Sequence, residues 1–158
     1  MKHTKWKPYA FWILFTEAVG ALAGWLTRDG SKYYSDYVVQ PPLSPPPLVF
    51  PIVWGILYAL MGIGAARIWL AEDGPQQKKS LSLYLLQLLF NFVWSFLFFQ
   101  FRVYGFAFFW LLTLWVLILL MILSFRKLDS AAALLQIPYL LWVTFAAYLN
   151  LGTWLLNG

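Results

Sequence analysis

Five long runs of apolar residues divide the chain, and each is close to the length that a helix needs to cross a lipid bilayer. The runs are 9–26, 48–70, 81–101, 106–125 and 131–156. About 20 apolar residues in a helix span a hydrocarbon layer of ~30 Å. Backbone polar groups find no water inside lipid, which favours helices over isolated strands. The pattern predicts an all-α integral membrane protein with a single domain, a bundle of five transmembrane helices.

The first connection, 27–47, is the only long one. Its second half contains the stretch Gln40-Pro41-Pro42-Leu43-Ser44-Pro45-Pro46-Pro47. Proline lacks the backbone N–H and restricts the residue before it, so this stretch is predicted to be stiff and extended rather than helical. A stiff segment over one end of a bundle is either a lid or a rigid connector, and the sequence leaves both open.

The composition agrees with a lipid environment. Hydrophobic residues make up 62% of the chain and charged residues 11%, against roughly 45–50% and 25% in soluble domains. Aromatic residues reach 21%, with ten Trp. Interfacial belts explain part of this number, and some of the rings are predicted to have another use.

The formal charge of +5 is spread between the apolar runs and forms no basic face. The sequence therefore predicts no nucleic-acid partner. Eight of the eleven Lys and Arg residues fall on the N-terminal side of the bundle: Lys2, Lys5, Lys7, Arg67, Lys78, Lys79, Arg126 and Lys127. The other three are Arg28, Lys32 and Arg102. The excess predicts a multi-pass cell membrane protein with a cytoplasmic N-terminus and an extracytoplasmic C-terminus.

Candidate metal ligands and catalytic groups are scarce. The chain has no Cys, and its single His, His3, lies outside the apolar runs. No metal site, permanently ligated haem or other obligatory cofactor is expected. The sequence also carries no hydrolase or paired-carboxylate motif, so ordinary acid–base catalysis is not expected.

Three helices have a face that combines aromatic, amide and small residues. The third run places on one face Tyr84, Gln87, Asn91, Trp94, Ser95 and Phe98. The second contributes Trp54, Tyr58, Met61 and Ala65, and the fifth contributes Tyr139, Trp142, Ala146 and Asn150. Amide groups are costly against lipid, so these faces should point inward. They fit either interhelical hydrogen bonding or an aromatic pocket for a flat ligand.

Glu17 is the only acid inside an apolar run. It shares a helix face with Gly20, Ala21 and Gly24, and the two glycines form a GxxxG pair. Such a pair allows close helix approach, which predicts that Glu17 is a protonated, hydrogen-bonded packing residue at that contact. A functional role for a lone intramembrane carboxylate is the alternative.

Several motifs together resemble the tryptophan-rich sensory protein family, which includes the mitochondrial translocator protein, or peripheral benzodiazepine receptor. The first is the run 40–46 followed by Pro51-Ile52-Val53-Trp54-Gly55-Ile56-Leu57-Tyr58 and Met61-Gly62. The others are Leu89-Phe90-Asn91-Phe92-Val93-Trp94-Ser95, Pro138-Tyr139-Leu140-Leu141-Trp142, Phe145-Ala146 and Leu149-Asn150. The motifs extend over the second, third and fifth helices and the loop before them.

The resemblance implies a five-helix bundle, usually a homodimer, with a pocket under the first loop. The pocket would bind protoporphyrin IX or a related tetrapyrrole, and synthetic isoquinoline or benzodiazepine-type compounds. The ligand-binding residues expected from the faces and the family motifs are Tyr34, Trp54, Tyr58, Asn91, Trp94, Tyr139, Trp142, Ala146 and Asn150. Tyr33 and Tyr34 resemble the aromatic pair of the family's first loop.

The resemblance leaves three roles open. The leading one is a receptor or sensor that binds tetrapyrroles. The second is a porphyrin transporter, and the third is a slow, light-dependent porphyrin-degrading enzyme that uses Trp54 and Trp142. The C-terminal cholesterol motif of the animal members, a Tyr followed by a basic residue, has no counterpart in residues 149–158. Sterol binding through that motif is therefore not expected.

Overall fold

The computed structural model describes residues 5–158, which form an all-α bundle with five membrane-length spans. The α-helices are α1 (Trp6–Leu26), α2 (Arg28–Tyr37), α3 (Val49–Trp69), α4 (Pro75–Ser95), α5 (Tyr104–Arg126), α6 (Ser130–Leu134) and α7 (Ile137–Asn157). A π-helical turn, Phe96–Gln100, continues α4. The spans are α1, α3, α4 with the π-helical turn, α5, and α6 with α7. The predicted fold class is confirmed.

Two of the helices begin several residues before the apolar runs that predicted them. Helix α1 starts at Trp6 rather than at residue 9. Helix α4, which forms the third span, starts at Pro75 rather than at residue 81. Proline is favoured at the first position of a helix, where its missing N–H is not needed. Hydropathy marks the part of a helix that lies in lipid, so polar first turns are invisible to it.

The connection 27–47 is not a loop throughout, because α2 occupies Arg28–Tyr37. This helix is polar and short, so it gives no hydropathy signal. The Lys32–Asp36 ion pair of 3.0 Å joins neighbouring positions on its surface. Residues 38–48 are non-helical, as the proline-rich composition predicts.

The predicted helix 131–156 corresponds to one membrane-length span, Ser130–Asn157, but the chain turns within it at residues 135–136, between α6 and α7. Pro138 lies in the first turn of α7, where its missing backbone N–H is not needed. Asp129 stabilises the start of α6 by accepting hydrogen bonds from the backbone N–H groups of Ala131 and Ala132. The same carboxylate pairs with Arg67 on α3 at 2.9 Å.

The backbones of the first two spans approach each other closely at Gly62. A Cβ atom there would lie 2.5 Å from the Cα atom of Ile13, so only glycine fits. The GxxxG pair does not have this role. Gly20 packs against the ring of Tyr58, and a Cβ on Gly24 would meet nothing within 4 Å. Among residues 5–158, the close helix packing predicted for this pair is therefore seen at Gly20, against a side chain of α3, and not at Gly24.

Candidate ligand-binding cavity

One end of the bundle contains a cavity of about 630 Å³. Its walls come from α1, α3, α7 and the junction of α4 with the π-helical turn. Its roof comes from α2 and from the non-helical residues Gln40 and Pro47. The cavity therefore lies at the end of the bundle where α1 ends and α3 begins.

The α1 wall is made of small residues with one acid at its inner end. Glu17, Gly20, Ala21, Gly24 and Thr27 all line the cavity and recur at intervals of three or four residues, so they share one helix face. Ten residues of helix separate Glu17 from Thr27, a rise of ~15 Å. That distance is about half the hydrocarbon thickness, so Glu17 lies deep in the membrane.

Glu17 is half-buried, and it makes no hydrogen bond or ion pair with any of residues 5–158. The hydrogen-bonded packing role expected for it is therefore not seen among those residues. The sequence did single out Glu17, but its connection with a cavity required the positions of the other helices.

The opposite wall is aromatic. The rings of Trp54 and Tyr58 are stacked with centroids 5.5 Å apart. Trp142 meets Trp54 edge-on at 6.5 Å, and Phe50 meets Trp142 edge-on at 6.1 Å. Edge-on and stacked pairs are the favourable geometries for aromatic rings. They fix the orientation of the wall, and all four of these residues line the cavity.

A buried chain of hydrogen bonds fixes the inner end of this aromatic wall, at Tyr58. The hydroxyl of Tyr58 donates to Oδ1 of Asn91 at 2.9 Å, and Nδ2 of Asn91 donates to the hydroxyl of Tyr139 at 2.8 Å. The Tyr139 hydroxyl donates in turn to Oε1 of Gln87 at 2.7 Å. Asn91 and Tyr139 do not line the cavity, because they lie behind Tyr58 and fix its position.

The polar face of the third span divides into two parts. Its inner part, with Gln87 and Asn91, makes interhelical hydrogen bonds. Its outer part, with Trp94, Ser95 and Phe98, lines the cavity. The indole N–H of Trp94 donates to Oδ1 of Asn150 at 3.0 Å, which joins the α4 wall to α7.

The roof is held on the bundle by Tyr34. Its ring is buried against Phe98 and Phe99, with centroids 5.2 and 5.6 Å away. Its hydroxyl is 3.3 Å from Oγ1 of Thr153. Burial raises the pKa of Tyr34 above its ordinary value and outweighs the opposing hydrogen bond with Thr153, so this phenol is neutral at physiological pH. Tyr33, its neighbour, is exposed, with the Arg102 guanidinium 4.0 Å from its ring centre.

The proline-rich segment is attached to the C-terminal part of α7. The backbone N–H of Val39 donates to Oδ1 of Asn157 at 3.1 Å, and Nδ2 of Asn157 donates to the Val39 carbonyl at 2.8 Å. The hydroxyl of Tyr148 donates to the Pro42 carbonyl at 2.7 Å. These contacts fit a rigid connector, two residues of which, Gln40 and Pro47, also line the cavity.

Among the residues expected from the sequence, those that line the cavity are Tyr34, Trp54, Tyr58, Trp94, Trp142, Ala146 and Asn150. The sequence reasoning missed the α1 wall and Phe50. The small residues of α1 were taken as a packing face, and Phe50 lies one position before the family motif at Pro51.

The charged residues of the lining are Glu17 at the inner end and Arg28 at the roof. The guanidinium of Arg28 donates to the Trp25 carbonyl at 2.6 Å and lies 4.3 Å from the centre of the Trp25 ring. Residues 5–158 contain no cluster of His, Cys, Asp and Glu that could hold a metal ion. His3 lies outside the part of the chain that the structure describes.

Comparison with known proteins matches the chain over almost its full length. The profile of the TspO/MBR family matches residues 12–155. The translocator protein of Ovis aries is 35% identical over 153 residues, which cover 94% of this chain and 89% of that protein. The tryptophan-rich sensory protein of Cereibacter sphaeroides is 34% identical over 151 residues, 94% of this chain and 92% of that protein. The tryptophan-rich protein TspO of Chlorobaculum tepidum is 34% identical over 145 residues, 89% of each chain. With this coverage and its five membrane spans, the chain belongs to the TspO/MBR family of integral membrane proteins.

Proposed function

We propose that this protein is a membrane receptor or sensor that binds a flat, apolar tetrapyrrole such as protoporphyrin IX in the cavity under α2. The observation that carries the proposal is the aromatic wall of Phe50, Trp54, Tyr58 and Trp142 along one side of the cavity. A flat π-system gains both apolar burial and ring stacking on such a wall. Synthetic isoquinoline and benzodiazepine-type compounds share this flat, apolar character and belong to the same proposed ligand set.

The size and the apolar lining of the cavity support this ligand class. Its volume of about 630 Å³ lies within the ~300–1,000 Å³ typical of sites for organic ligands. The names of the relatives, translocator protein and tryptophan-rich sensory protein, agree with a role in sensing or translocation. The roof, attached through Tyr34 and Asn157, covers one end of a cavity whose lining is mostly apolar, and such a lining favours an apolar ligand.

The test is titration of the purified protein with protoporphyrin IX, followed by quenching of Trp fluorescence. Trp54→Ala and Trp142→Ala are each expected to weaken binding by about tenfold to a hundredfold, the equivalent of ~1–3 kcal/mol for a stacked ring. Trp6→Ala is the matched control, because Trp6 is exposed and remote from the cavity. Unchanged affinity in both cavity variants would contradict the proposal.

We also propose the assembly and orientation of the chain. The excess of Lys and Arg on the N-terminal side favours a cytoplasmic N-terminus and places the roof of the cavity on the extracytoplasmic side. The family resemblance favours a homodimer. The mass of the protein in detergent, measured by light scattering with the detergent subtracted, checks the dimer, and a monomeric mass would contradict it.

A further inference from the structure

The inner end of the cavity combines a carboxylate with aromatic rings. Gly20 packs directly on the ring of Tyr58, and Glu17 lies one helical turn further in on the same face of α1. The ring of Trp54 is stacked on Tyr58. The carboxylate of Glu17 is therefore close to the edge of a two-ring aromatic surface.

The space above Glu17 is open. A Cβ on Gly24, on the same face, would meet nothing within 4 Å, and Gly20, Ala21 and Gly24 together line this side. A ligand that lies along the aromatic wall can therefore place one end beside Glu17. The basic residue of the lining, Arg28, is at the roof and bonds to the Trp25 carbonyl.

An acid at this depth requires compensation. A carboxylate near the middle of a bilayer is unfavourable unless it is paired with a cation or a hydrogen-bond donor. Among residues 5–158, none supplies a hydrogen bond or an ion pair to Glu17. A ligand can supply both the donor and the charge.

Aromatic faces add to the attraction of a carboxylate for a cation. A cation near a Trp or Tyr ring is stabilised by the negative face of the ring, and this effect grows when water is excluded. A carboxylate beside Trp and Tyr rings in an apolar cavity is thus suited to an organic ammonium group.

We propose that Glu17, together with Trp54 and Tyr58, forms a subsite for a protonated amine, so that the cavity accepts apolar aromatic amines. The aromatic part of the ligand lies along Trp54 and Trp142, and its ammonium group donates to the carboxylate of Glu17. This inference rests on the proposed function only in taking the same cavity as the ligand site.

The test compares two probes that differ in one group. The probes are 9-(aminomethyl)anthracene, which is a cation at neutral pH, and 9-anthracenemethanol, which is neutral and has nearly the same shape. Their affinities are measured by fluorescence with the protein in nanodiscs of zwitterionic lipid. The wild-type protein is expected to prefer the amine by about tenfold or more, once the partition of each probe into empty nanodiscs is subtracted.

Variants at position 17 test whether the charge of Glu17 causes the preference for the amine. Glu17→Gln keeps the shape and removes the charge, so it should abolish the preference for the amine and leave the alcohol affinity within about twofold. Glu17→Asp keeps the charge and should retain part of the preference. Glu72→Gln is the matched control, because Glu72 is an exposed acid in the connection between α3 and α4, and it should leave the ratio of affinities unchanged.

The inference is overturned if the wild-type protein shows no preference for the amine, or if the preference survives in Glu17→Gln. An equal loss of affinity for both probes in Glu17→Gln would also overturn it, since Glu17 would then shape the cavity without selecting a charged ligand. Protoporphyrin IX is titrated in the same preparations. Binding of protoporphyrin without amine selectivity refutes only the amine subsite, and amine selectivity without protoporphyrin binding refutes only the tetrapyrrole proposal.

Discussion

Tyr139 illustrates how single polar residues organise the interior of this bundle. It is fully buried, and its hydroxyl both accepts from Asn91 and donates to Gln87. Lipid offers no competing partner to these groups, so each must be satisfied by another side chain. Tyr139 therefore supports the aromatic wall of the cavity from behind without lining the cavity itself.

Replacing this hydroxyl should destabilise the bundle. Tyr139→Phe leaves Nδ2 of Asn91 and Oε1 of Gln87 without their partner, and the expected cost is ~1–2 kcal/mol of the free energy of unfolding. Thermal unfolding in detergent measures this cost. Thr113→Val is the control, because the exposed Thr113 hydroxyl bonds only to the Phe109 carbonyl of its own helix. Equal melting temperatures for Tyr139→Phe and the wild-type protein would refute the supporting role.

At the scale of elements, α1 and α3 depend on glycine at one crossing and not at another. Gly62 meets the backbone of Ile13 and Trp12, and a backbone atom cannot move aside as a side chain can. Gly55 lies two turns earlier on α3 and has nothing within 4 Å of its Cβ position. The two glycines of one helix therefore form a matched pair for mutation.

Gly62→Ala is expected to lower the free energy of unfolding by ~1–3 kcal/mol, because the added methyl group forces the two helices apart. Gly55→Ala should be neutral or slightly stabilising, since alanine is favoured in a helix by up to ~1 kcal/mol over glycine. Both values come from unfolding in detergent monitored by circular dichroism. An equal response at the two positions would contradict the assignment of the crossing to Gly62.

For the whole molecule, the distribution of Lys and Arg predicts an orientation in the membrane. The natural absence of Cys allows a single cysteine to report the position of the C-terminus. Gly158→Cys should react with a membrane-impermeant maleimide added outside intact cells, because the basic residues favour a cytoplasmic N-terminus. Gly74→Cys, in the connection between α3 and α4, should react only after the cells are opened. The reverse pattern would invert the topology and place the cavity roof in the cytoplasm.

The sequence by itself determined the fold class, because 20-residue apolar runs have one stable arrangement in lipid, the helix. It also indicated which faces of α3, α4 and α7 point inward, since an amide or a tyrosine hydroxyl is costly against lipid. Residues such as Tyr58, Asn91 and Asn150 were identified on this basis. Hydropathy could not reveal α2, whose residues are polar, or the turn between α6 and α7, which lies within one apolar run.

The tertiary structure alone decided what each inward residue does. Asn91 and Trp94 are three positions apart on one face, yet Asn91 lies in the buried hydrogen-bond chain and Trp94 lines the cavity. The same holds for Gly24 and Gly62, which are both glycines of apolar helices but face open space and a helix backbone, respectively. A helical pattern specifies the direction in which a side chain points, whereas its partner depends on where the neighbouring helices end, tilt and cross. Glu17 could therefore be recognised as unusual from the sequence, and only the packing of α1 against α3 placed it in the cavity.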